Sequence, residues 1–168
     1  MSKVTVLGAG AWGSTMAQVL SDAGNHVLMW GRNQEIVNEI NTTHTNRKYL
    51  DENVLPLGIS ATTDLKQAFE YSNIYVLAVP AQVLRENLKS WKSLVDPAAT
   101  YISTLKGIEV STLSRMTEII HEEMNTENFA LITGPNLATE LIMRQPAGAV
   151  AAAPTKLLAE KTLKLFAT

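Results

Sequence analysis

The chain has 168 residues, of which 46% are hydrophobic and 18% are charged, and its formal net charge is -2 at pH 7. This composition is typical of one folded domain, and it argues against a disordered chain and against a nucleic-acid or membrane-surface partner, either of which would require dense positive charge. The sequence contains no cysteine and only three scattered histidines, so disulfides and cysteine nucleophiles are excluded and no metal site is expected.

The first 40 residues predict a strand, a helix, a second strand and a second helix. Lys3–Leu7 is short, apolar and β-branched, as a strand is, and from Trp12 onward apolar residues recur at helical spacing. His26–Trp30 predicts the second strand and Gln34–Ile40 the second helix. Together these elements form a βαβ unit.

The alternation of strands and helices continues along the rest of the chain. After a long polar loop, which we interpret as functional, strands are predicted at Ile59–Thr62, Ile74–Val79, Thr100–Leu105, Phe129–Thr133 and Gly148–Ala152. The loop covers Asn41–Leu57, and helices are predicted from Thr63 or Asp64, from Pro80 to Trp91, and over Leu113–Met124, Leu137–Arg144 and Thr155–Phe166. This pattern predicts an α/β fold with a Rossmann-like, doubly wound and mostly parallel sheet.

No apolar run reaches the roughly 20 residues that span a bilayer and no signal peptide is recognisable, so we expect a cytoplasmic protein.

Three glycines between the first strand and the first helix give the clearest functional signal. Gly8, Gly10 and Gly13 have the spacing G-x-G-x-x-G. In a dinucleotide-binding loop the first glycine permits a tight turn, the second lets the backbone approach a pyrophosphate, and the third allows close packing of helix on strand. The helix that begins near Ala11 and Trp12 would direct its N–H groups at the phosphates. A glycine-rich turn without a ligand is the alternative, but the βαβ context favours cofactor binding.

The residues after the second strand bear on the choice of cofactor. A loop that binds an unmodified adenosine ribose carries Asp or Glu at this point, whereas this chain has Gly31, Arg32 and Asn33. Arg32 can pair with a 2′-phosphate through its forked guanidinium. NADP(H) is therefore favoured over NAD(H), and both remain candidates. Glu35 is a possible acidic substitute for that carboxylate, but because it stands at the start of the predicted helix we interpret it as a favourable charge at a helix N-terminus.

Three further segments follow predicted strands and should share the same edge of the sheet. They are Pro80, Lys106-Gly107 and Gly134-Pro135-Asn136. An exposed loop lysine is ordinarily only solvated, but at a strand's carboxyl end Lys106 can hold an anionic substrate or polarise a carbonyl. Asn136 is expected to cap the helix that follows, and the N-terminus of that helix could equally face a phosphate or the nicotinamide.

Six motifs in order resemble a known family. They are G-A-G-x-W-G, W-G-R-N, Y-L…L-P-L-G-I-S-A-T, V-L-A-V-P, L-K-G-I-E and G-P-N-L-A-T-E. From Lys3 to its end the chain resembles bacterial NAD(P)-dependent glycerol-3-phosphate dehydrogenase, an enzyme of phospholipid precursor synthesis. K-G-I-E after a strand, together with G-P-x-x-A-x-E, is the most specific part of the resemblance.

The resemblance implies roles for individual residues. It implies cofactor contacts for Ala11, Trp12, Arg32, Asn33, Lys106 and Ala138, and substrate contacts for Lys106, Gly134 and Asn136. With the glycines and Pro80 at the same edge, these are the predicted site residues. The family usually has serine where this chain has Ala11 and Asn136, and phenylalanine where it has Leu137. Loss of a hydroxyl at Ala11 should matter little, since backbone N–H groups do most of the phosphate binding.

The family also implies a larger enzyme. Its members are about twice as long, with a helical second domain that contributes a lysine for proton transfer and an Arg-Asn pair for the substrate phosphate. We therefore expect residues 1–168 to be the NAD(P)-binding domain, with little turnover alone. The full-length enzyme would be a homodimer that reduces dihydroxyacetone phosphate to sn-glycerol 3-phosphate. Another two-domain dehydrogenase, of hydroxy-acid or ketopantoate type, and a non-enzymatic NAD(P)-binding module are the alternatives.

Overall fold

Seven strands form one sheet in the computed structural model, which describes residues 1–167. The strands are β1 (Lys3–Leu7), β2 (His26–Trp30), β3 (Ile59–Thr62), β4 (Ile74–Leu77), β5 (Thr100–Ser103), β6 (Phe129–Thr133) and β7 (Val150–Ala152). Their order is β3-β2-β1-β4-β5-β6-β7, with β1 to β6 parallel and β7 antiparallel to β6. The first six strands have the order of the doubly wound dinucleotide fold. The predicted fold class is confirmed.

Helices cover both faces of this sheet. They are α1 (Ala11–Asp22), α2 (Gln34–Thr43), α3 (Arg47–Leu50), α4 (Leu65–Tyr71), α5 (Leu84–Trp91), α6 (Met116–Met124), α7 (Ala138–Ile142) and α8 (Lys156–Phe166). One core packs β-strand side chains against α1 and α2, and a second core packs the opposite face against α4, α5 and α6. Within residues 1–167, no helix combines the length and the apolar character that crossing a membrane requires.

Strand β4 shows why the central strands are apolar throughout. Val76 packs into one core, while Tyr75 and Leu77 pack into the other, and all three are fully buried. Successive side chains of a strand point to opposite faces, so a strand with helices on both sides needs apolar residues at every position. In the second core, Trp30 and Trp91 meet edge to face with ring centroids 5.6 Å apart.

The predicted loop over Asn41–Leu57 is wrong in part. Helix α2 continues to Thr43, and residues Arg47–Leu50 form the short helix α3. The hydroxyl of Thr43 donates to the carbonyl of Glu39, and His44 ends α2 in the left-handed conformation with φ 53°. Asn41, Thr42 and Thr43 form the last turn of α2. Asparagine and threonine are unfavourable inside helices because their side chains compete for backbone hydrogen bonds, so the sequence predicted that the helix ends before them.

Several other boundaries differ from the prediction by a few residues. Strands β4 and β5 each end two residues early, at Leu77 and Ser103, and α6 begins at Met116 instead of Leu113. Leu113 has φ 61°, and an isolated bridge pairs Ile108 with Arg115. The segment before α6 is therefore a structured turn that follows Lys106 and Gly107.

Candidate functional site

A cavity of about 820 Å³ opens where β1, β2, β4 and β5 end. Its walls include ten of the predicted site residues, namely Gly8, Gly10, Ala11, Trp12, Arg32, Asn33, Pro80, Lys106, Asn136 and Ala138. These positions are far apart in the sequence and meet because the carboxyl ends of parallel strands share one edge. Gly13 and Gly134 do not line this cavity.

The glycine loop is packed tightly on two sides and open on the third. Gly8 has φ 134°, and a Cβ there would overlap the carbonyl oxygen of Ala78 at the end of β4. A Cβ at Gly13 would overlap the carbonyl oxygen of Gly8, so the close packing predicted for Gly13 is present. A Cβ at Gly10, in contrast, would have no neighbour within 4 Å. The open side faces the cavity, which leaves room for a ligand beside the backbone.

Helix α1 presents an uncapped N-terminus to this open side. Its N-cap is Gly10, which has no side chain to cap the first turn, and that turn contains no acidic residue. The first intrahelical bond runs from the amide of Ser14 to the carbonyl of Gly10 at 3.0 Å. The preceding amides of α1 therefore have no intrahelical acceptor, and such an end attracts anions through its N–H groups and its dipole.

The charged side chains on the cavity wall are all positive. Among residues 1–167, the cavity is lined by Arg32, Lys48 and Lys106 and by no aspartate or glutamate. A concave site with charge of one sign concentrates ligands of the opposite sign. The wall thus suits a ligand that carries several phosphates.

Asn33 has a local role as well as its place on the wall. Its side-chain oxygen accepts from the amides of Glu35 at 2.8 Å and Ile36 at 3.2 Å, which makes it the N-cap of α2. Glu35 stands in the first turn of that helix and is exposed, where its charge favours the helix dipole. A ligand would therefore meet the amide nitrogen of Asn33 more readily than its oxygen.

Lys106 lies beside two other predicted residues at the far end of the cavity. Its Nζ donates to the carbonyl oxygen of Asn136 at 3.4 Å and lies 5.6 Å from the centroid of the Trp12 ring. The indole Nε1 of Trp12 is buried and has no acceptor among the described residues. The exposed ammonium of Lys106 can therefore donate to an anionic or carbonyl oxygen in the cavity, whereas the indole N–H of Trp12 is out of reach of a ligand in this arrangement.

The turn after Lys106 is held by side chains that the sequence did not single out. Arg85 Nε donates to Glu109 at 2.9 Å, and Gln82 bonds the carbonyl of Ile108 at 2.8 Å and the amide of Val110 at 3.0 Å. The hydrogen bonds of Arg85, followed by the hydroxyl of Thr112, hold the pKa of Glu109 below its usual range. Glu109 is the last residue of K-G-I-E, so that motif contributes an anchor as well as Lys106.

Asn136 does not cap the next helix, so that prediction was wrong. The N-cap of α7 is Leu137, and Asn136 Nδ2 donates to the carbonyl oxygen of Gly148 at 3.1 Å. The bond ties the end of β6 to the segment before β7 and leaves Asn136 at the cavity wall.

A second cavity of about 650 Å³ adjoins the first. Trp12 and Asn136 line both cavities, and Gly134 lines only the second. The predicted substrate residues therefore lie where the two cavities meet.

Lys48 and Tyr49 are two of the wall residues that the sequence analysis did not predict. Both belong to α3, which lies inside the segment predicted as a loop, and both side chains are exposed. The only sequence signal for these two residues was the unusual length of the polar segment. Local periodicity cannot show that a four-residue helix packs beside the carboxyl edge of the sheet.

The comparison with known families decides the assignment. A family model described as "NAD-dependent glycerol-3-phosphate dehydrogenase N-terminus" matches residues 3–159. The chain belongs to this family. The resemblance predicted from the motifs is confirmed, and the glycerol-3-phosphate dehydrogenase family is one that uses NAD(P).

Individual glycerol-3-phosphate dehydrogenases support the assignment. The chain is 47% identical over 155 residues to the enzyme of Thermobifida fusca and 45% identical over 154 residues to that of Corynebacterium urealyticum, covering 90% of this chain and 46% of each relative. The structure matches the crystal structure of the Coxiella burnetii enzyme with a TM-score of 0.91 at 26% identity, over 99% of this chain and 51% of that one. The Saccharomyces cerevisiae enzyme matches with a TM-score of 0.88 at 30% identity, over 99% and 54%. The chain thus spans about half the length of the glycerol-3-phosphate dehydrogenases that it matches.

Proposed function

We propose that residues 1–168 are the cofactor-binding domain of an NAD(P)-dependent glycerol-3-phosphate dehydrogenase, which reduces dihydroxyacetone phosphate to sn-glycerol 3-phosphate. The observation that carries this proposal is the cavity at the carboxyl edge of the sheet. It joins the open side of the glycine loop, an uncapped helix N-terminus and a wall with three cations and no described acid. A dinucleotide has the complementary properties, since its pyrophosphate is anionic and its rings are flat and largely apolar.

The residues present fit such a cofactor along the whole cavity. The backbone of Gly10 and Ala11 would hold the pyrophosphate, and Arg32 and Asn33 would stand at the adenosine end. Trp12 and Lys106 would stand at the nicotinamide end, where Pro80 and Ala138 complete the wall. Gly8 and Gly13 serve the site through packing, because a side chain at either position would displace the loop.

We further propose that NADPH is preferred over NADH. Arg32 is exposed and is the first charged residue after β2, where a carboxylate would otherwise bind the ribose. Lys48 adds a second cation to the same cavity. Both charges would attract a 2′-phosphate, and no described acidic side chain on the wall would repel it.

In the reaction, the bound cofactor supplies the hydride. Lys106 would bind dihydroxyacetone phosphate and donate to its carbonyl oxygen, which stabilises the negative charge that develops as the carbonyl is reduced. Gly134 and Asn136 would contact the substrate at the junction of the two cavities. The proton-transferring lysine is expected in the second domain, so residues 1–168 should bind cofactor with little turnover. The homodimer and the cytoplasmic location remain predictions from the sequence.

Calorimetric titration with NADPH and with NADH tests this proposal. We expect saturable binding of both and tighter binding of NADPH. Arg32→Ala should weaken NADPH about tenfold, the effect of about 1.4 kcal/mol for one charge-assisted contact at an exposed site, and should leave NADH within about twofold. Arg115→Ala is the matched control, because Arg115 is exposed and pairs with Glu118 away from the cavity wall. Absence of binding to either nucleotide would refute cofactor binding, and equal losses of both in Arg32→Ala would refute the 2′-phosphate assignment.

A further inference from the structure

Asn46 joins the glycine loop to the segment that carries Lys48 and Tyr49. Its side chain is fully buried, and Nδ2 donates to the carbonyl oxygen of Ala9 at 3.1 Å and to Ser14 Oγ at 2.8 Å. A carbonyl oxygen can only accept, so the nitrogen of the carboxamide must face Ala9. Asn46 therefore bonds both the middle of the G-x-G turn and the first turn of α1.

The bond to Ala9 also orients the next amide. The peptide between Ala9 and Gly10 is trans and planar, as all peptides in residues 1–167 are trans, so its C=O and N–H point in opposite directions. Because the carbonyl is directed at Asn46, the N–H of Gly10 is directed away from it. That N–H has no acceptor within the described chain, and Gly10 lines the cavity. The bond thus holds a free donor in place on the open side of the loop.

The main chain of Asn46 begins the helix that completes the wall. Its carbonyl oxygen accepts from the amides of Tyr49 at 3.0 Å and Leu50 at 2.9 Å, which forms α3. Glu39 fixes the neighbouring residues, since its Oε1 accepts from the amide of Arg47 at 2.9 Å and from the hydroxyl of Thr45 at 2.8 Å. Asn46 therefore links α3 to the glycine loop by hydrogen bonds, while Leu50 of α3 packs into the first core.

We propose that Asn46 is a positioning residue of the cofactor site. It orients the Ala9–Gly10 peptide so that the amide of Gly10 donates to the pyrophosphate, and it fixes Lys48 and Tyr49 at a set distance from that donor. This role rests on the proposed function, because it needs a dinucleotide in the cavity. It also gives the polar segment between α2 and β3 a function that its composition alone does not reveal.

The test compares Asn46→Ala with Asn41→Ala. Asn41 is the control for loss of a carboxamide that bonds the backbone. It accepts from the amide of Ala61 at 2.8 Å and donates to its carbonyl at 2.9 Å, but it is more exposed than Asn46 and does not line the cavity. Two quantities are measured for each variant, the NADPH dissociation constant and the amide resonance of Gly10 in the ligand-free protein. We expect Asn46→Ala to weaken NADPH binding about tenfold, the effect of losing the one hydrogen bond from the Gly10 amide to the pyrophosphate. The Gly10 amide resonance should also shift. Asn41→Ala should change neither.

Asn46→Leu carries the same two measurements if Asn46→Ala does not fold, as judged by circular dichroism. It keeps the branched shape of the side chain and buries no charge, but it has no group that can donate to the oxygen of Ala9. Binding of NADPH by wild type with no loss in the folded Asn46 variant would overturn the positioning role and leave the proposed function intact. An equal loss in Asn41→Ala would also overturn it, because the effect would then follow from general stability. Failure of wild type to bind NADPH would overturn the proposed function and this role together.

Discussion

Arg85→Ala tests the side-chain network that holds the turn after Lys106. The guanidinium donates to Glu109 at 2.9 Å through both Nε and Nη2, and Nη1 donates to Glu122 at 2.8 Å and to Glu123 at 2.6 Å. The side chains of Arg85 and Glu109 are only 19% and 8% exposed. One cation thus joins α5, α6 and the K-G-I-E segment.

The structure sets the expected size of the effect. Truncation of Arg85 removes several charge-assisted hydrogen bonds and leaves the carboxylates of Glu109, Glu122 and Glu123 close together. Of these, Glu123 keeps one ion pair, with Lys89 Nζ at 3.9 Å. Removal of one partner from a well-shielded pair costs about 3–5 kcal/mol. Because Glu122 is half exposed, we expect Arg85→Ala to lower the free energy of unfolding by about 3 kcal/mol. For a chain of this size that corresponds to a fall in Tm of about 6–12 °C.

The effect should depend on pH in one direction. The bonds from Arg85 lower the native pKa of Glu109, so the stabilisation is fully present above the ordinary carboxyl pKa of about 4.3. It is lost as the pH falls through the lower native value, because the carboxyl must then be protonated. The difference in Tm between wild type and Arg85→Ala should therefore be largest near neutral pH and should narrow below pH about 4.

Differential scanning calorimetry of both proteins between pH 7 and pH 3 measures this difference. Arg115→Ala is the control, because it removes an arginine from an exposed pair with Glu118 beside the same turn, and it should change Tm little at any pH. A fall of under about 2 °C for Arg85→Ala at pH 7, or a difference that stays constant down to pH 3, would refute the reasoning.

Three further changes test the site and the fold. Gly10→Val should block NADPH binding with little change in Tm, because the space around Gly10 is open to the cavity. Gly13→Ala should instead lower the free energy of unfolding by about 1–3 kcal/mol, because its Cβ would overlap the carbonyl of Gly8. Calorimetry with and without NADPH distinguishes loss of binding from loss of stability. In a full-length enzyme that contains this domain, Lys106→Met should reduce kcat about a hundredfold or more, because it removes the donor to the reacting carbonyl. Steady-state kinetics with dihydroxyacetone phosphate measure this, and an unchanged kcat would contradict the role of Lys106. Asp64→Ala should lower the free energy of unfolding by about 1 kcal/mol, because Asp64 caps α4 through the amides of Lys66 and Gln67, and a urea titration with an unchanged midpoint would exclude that contribution.

Features set by neighbouring residues were predictable from the sequence. The bounds of β1, β2 and β6 agree with the prediction because each is a short apolar run that ends at a turn residue. The glycine loop was equally clear, since its spacing and its position between a strand and a helix are both local. The edge at which Lys106 and Asn136 meet followed from the parallel topology alone.

Features that depend on long-range hydrogen bonds were not predictable. Asn136 was expected to cap α7, but its side chain instead donates to Gly148, twelve residues away. Asn46, which begins the helix that carries Lys48 and Tyr49, bonds the glycine loop 37 residues earlier in the chain. Helix and strand patterns extend over only a few residues, so they cannot reveal a contact between residues this far apart in the sequence. The segment therefore looked like a polar loop.

The position of Trp12 gives the molecule an intrinsic optical reporter. The chain has three tryptophans: Trp30 and Trp91 pack edge to face in a core, with Trp30 also at the wall of the first cavity, whereas Trp12 lines both cavities with the ammonium of Lys106 near its ring. Indole emission overlaps the absorption band of a reduced nicotinamide, and indole fluorescence is also sensitive to nearby charge. Light emitted by Trp12, and by Trp30 at the same wall, should therefore be quenched by energy transfer when a reduced nicotinamide enters the first cavity. The emission wavelength of Trp12 should shift when an anion displaces Lys106. Occupancy of this domain can thus be followed by fluorescence without any added label.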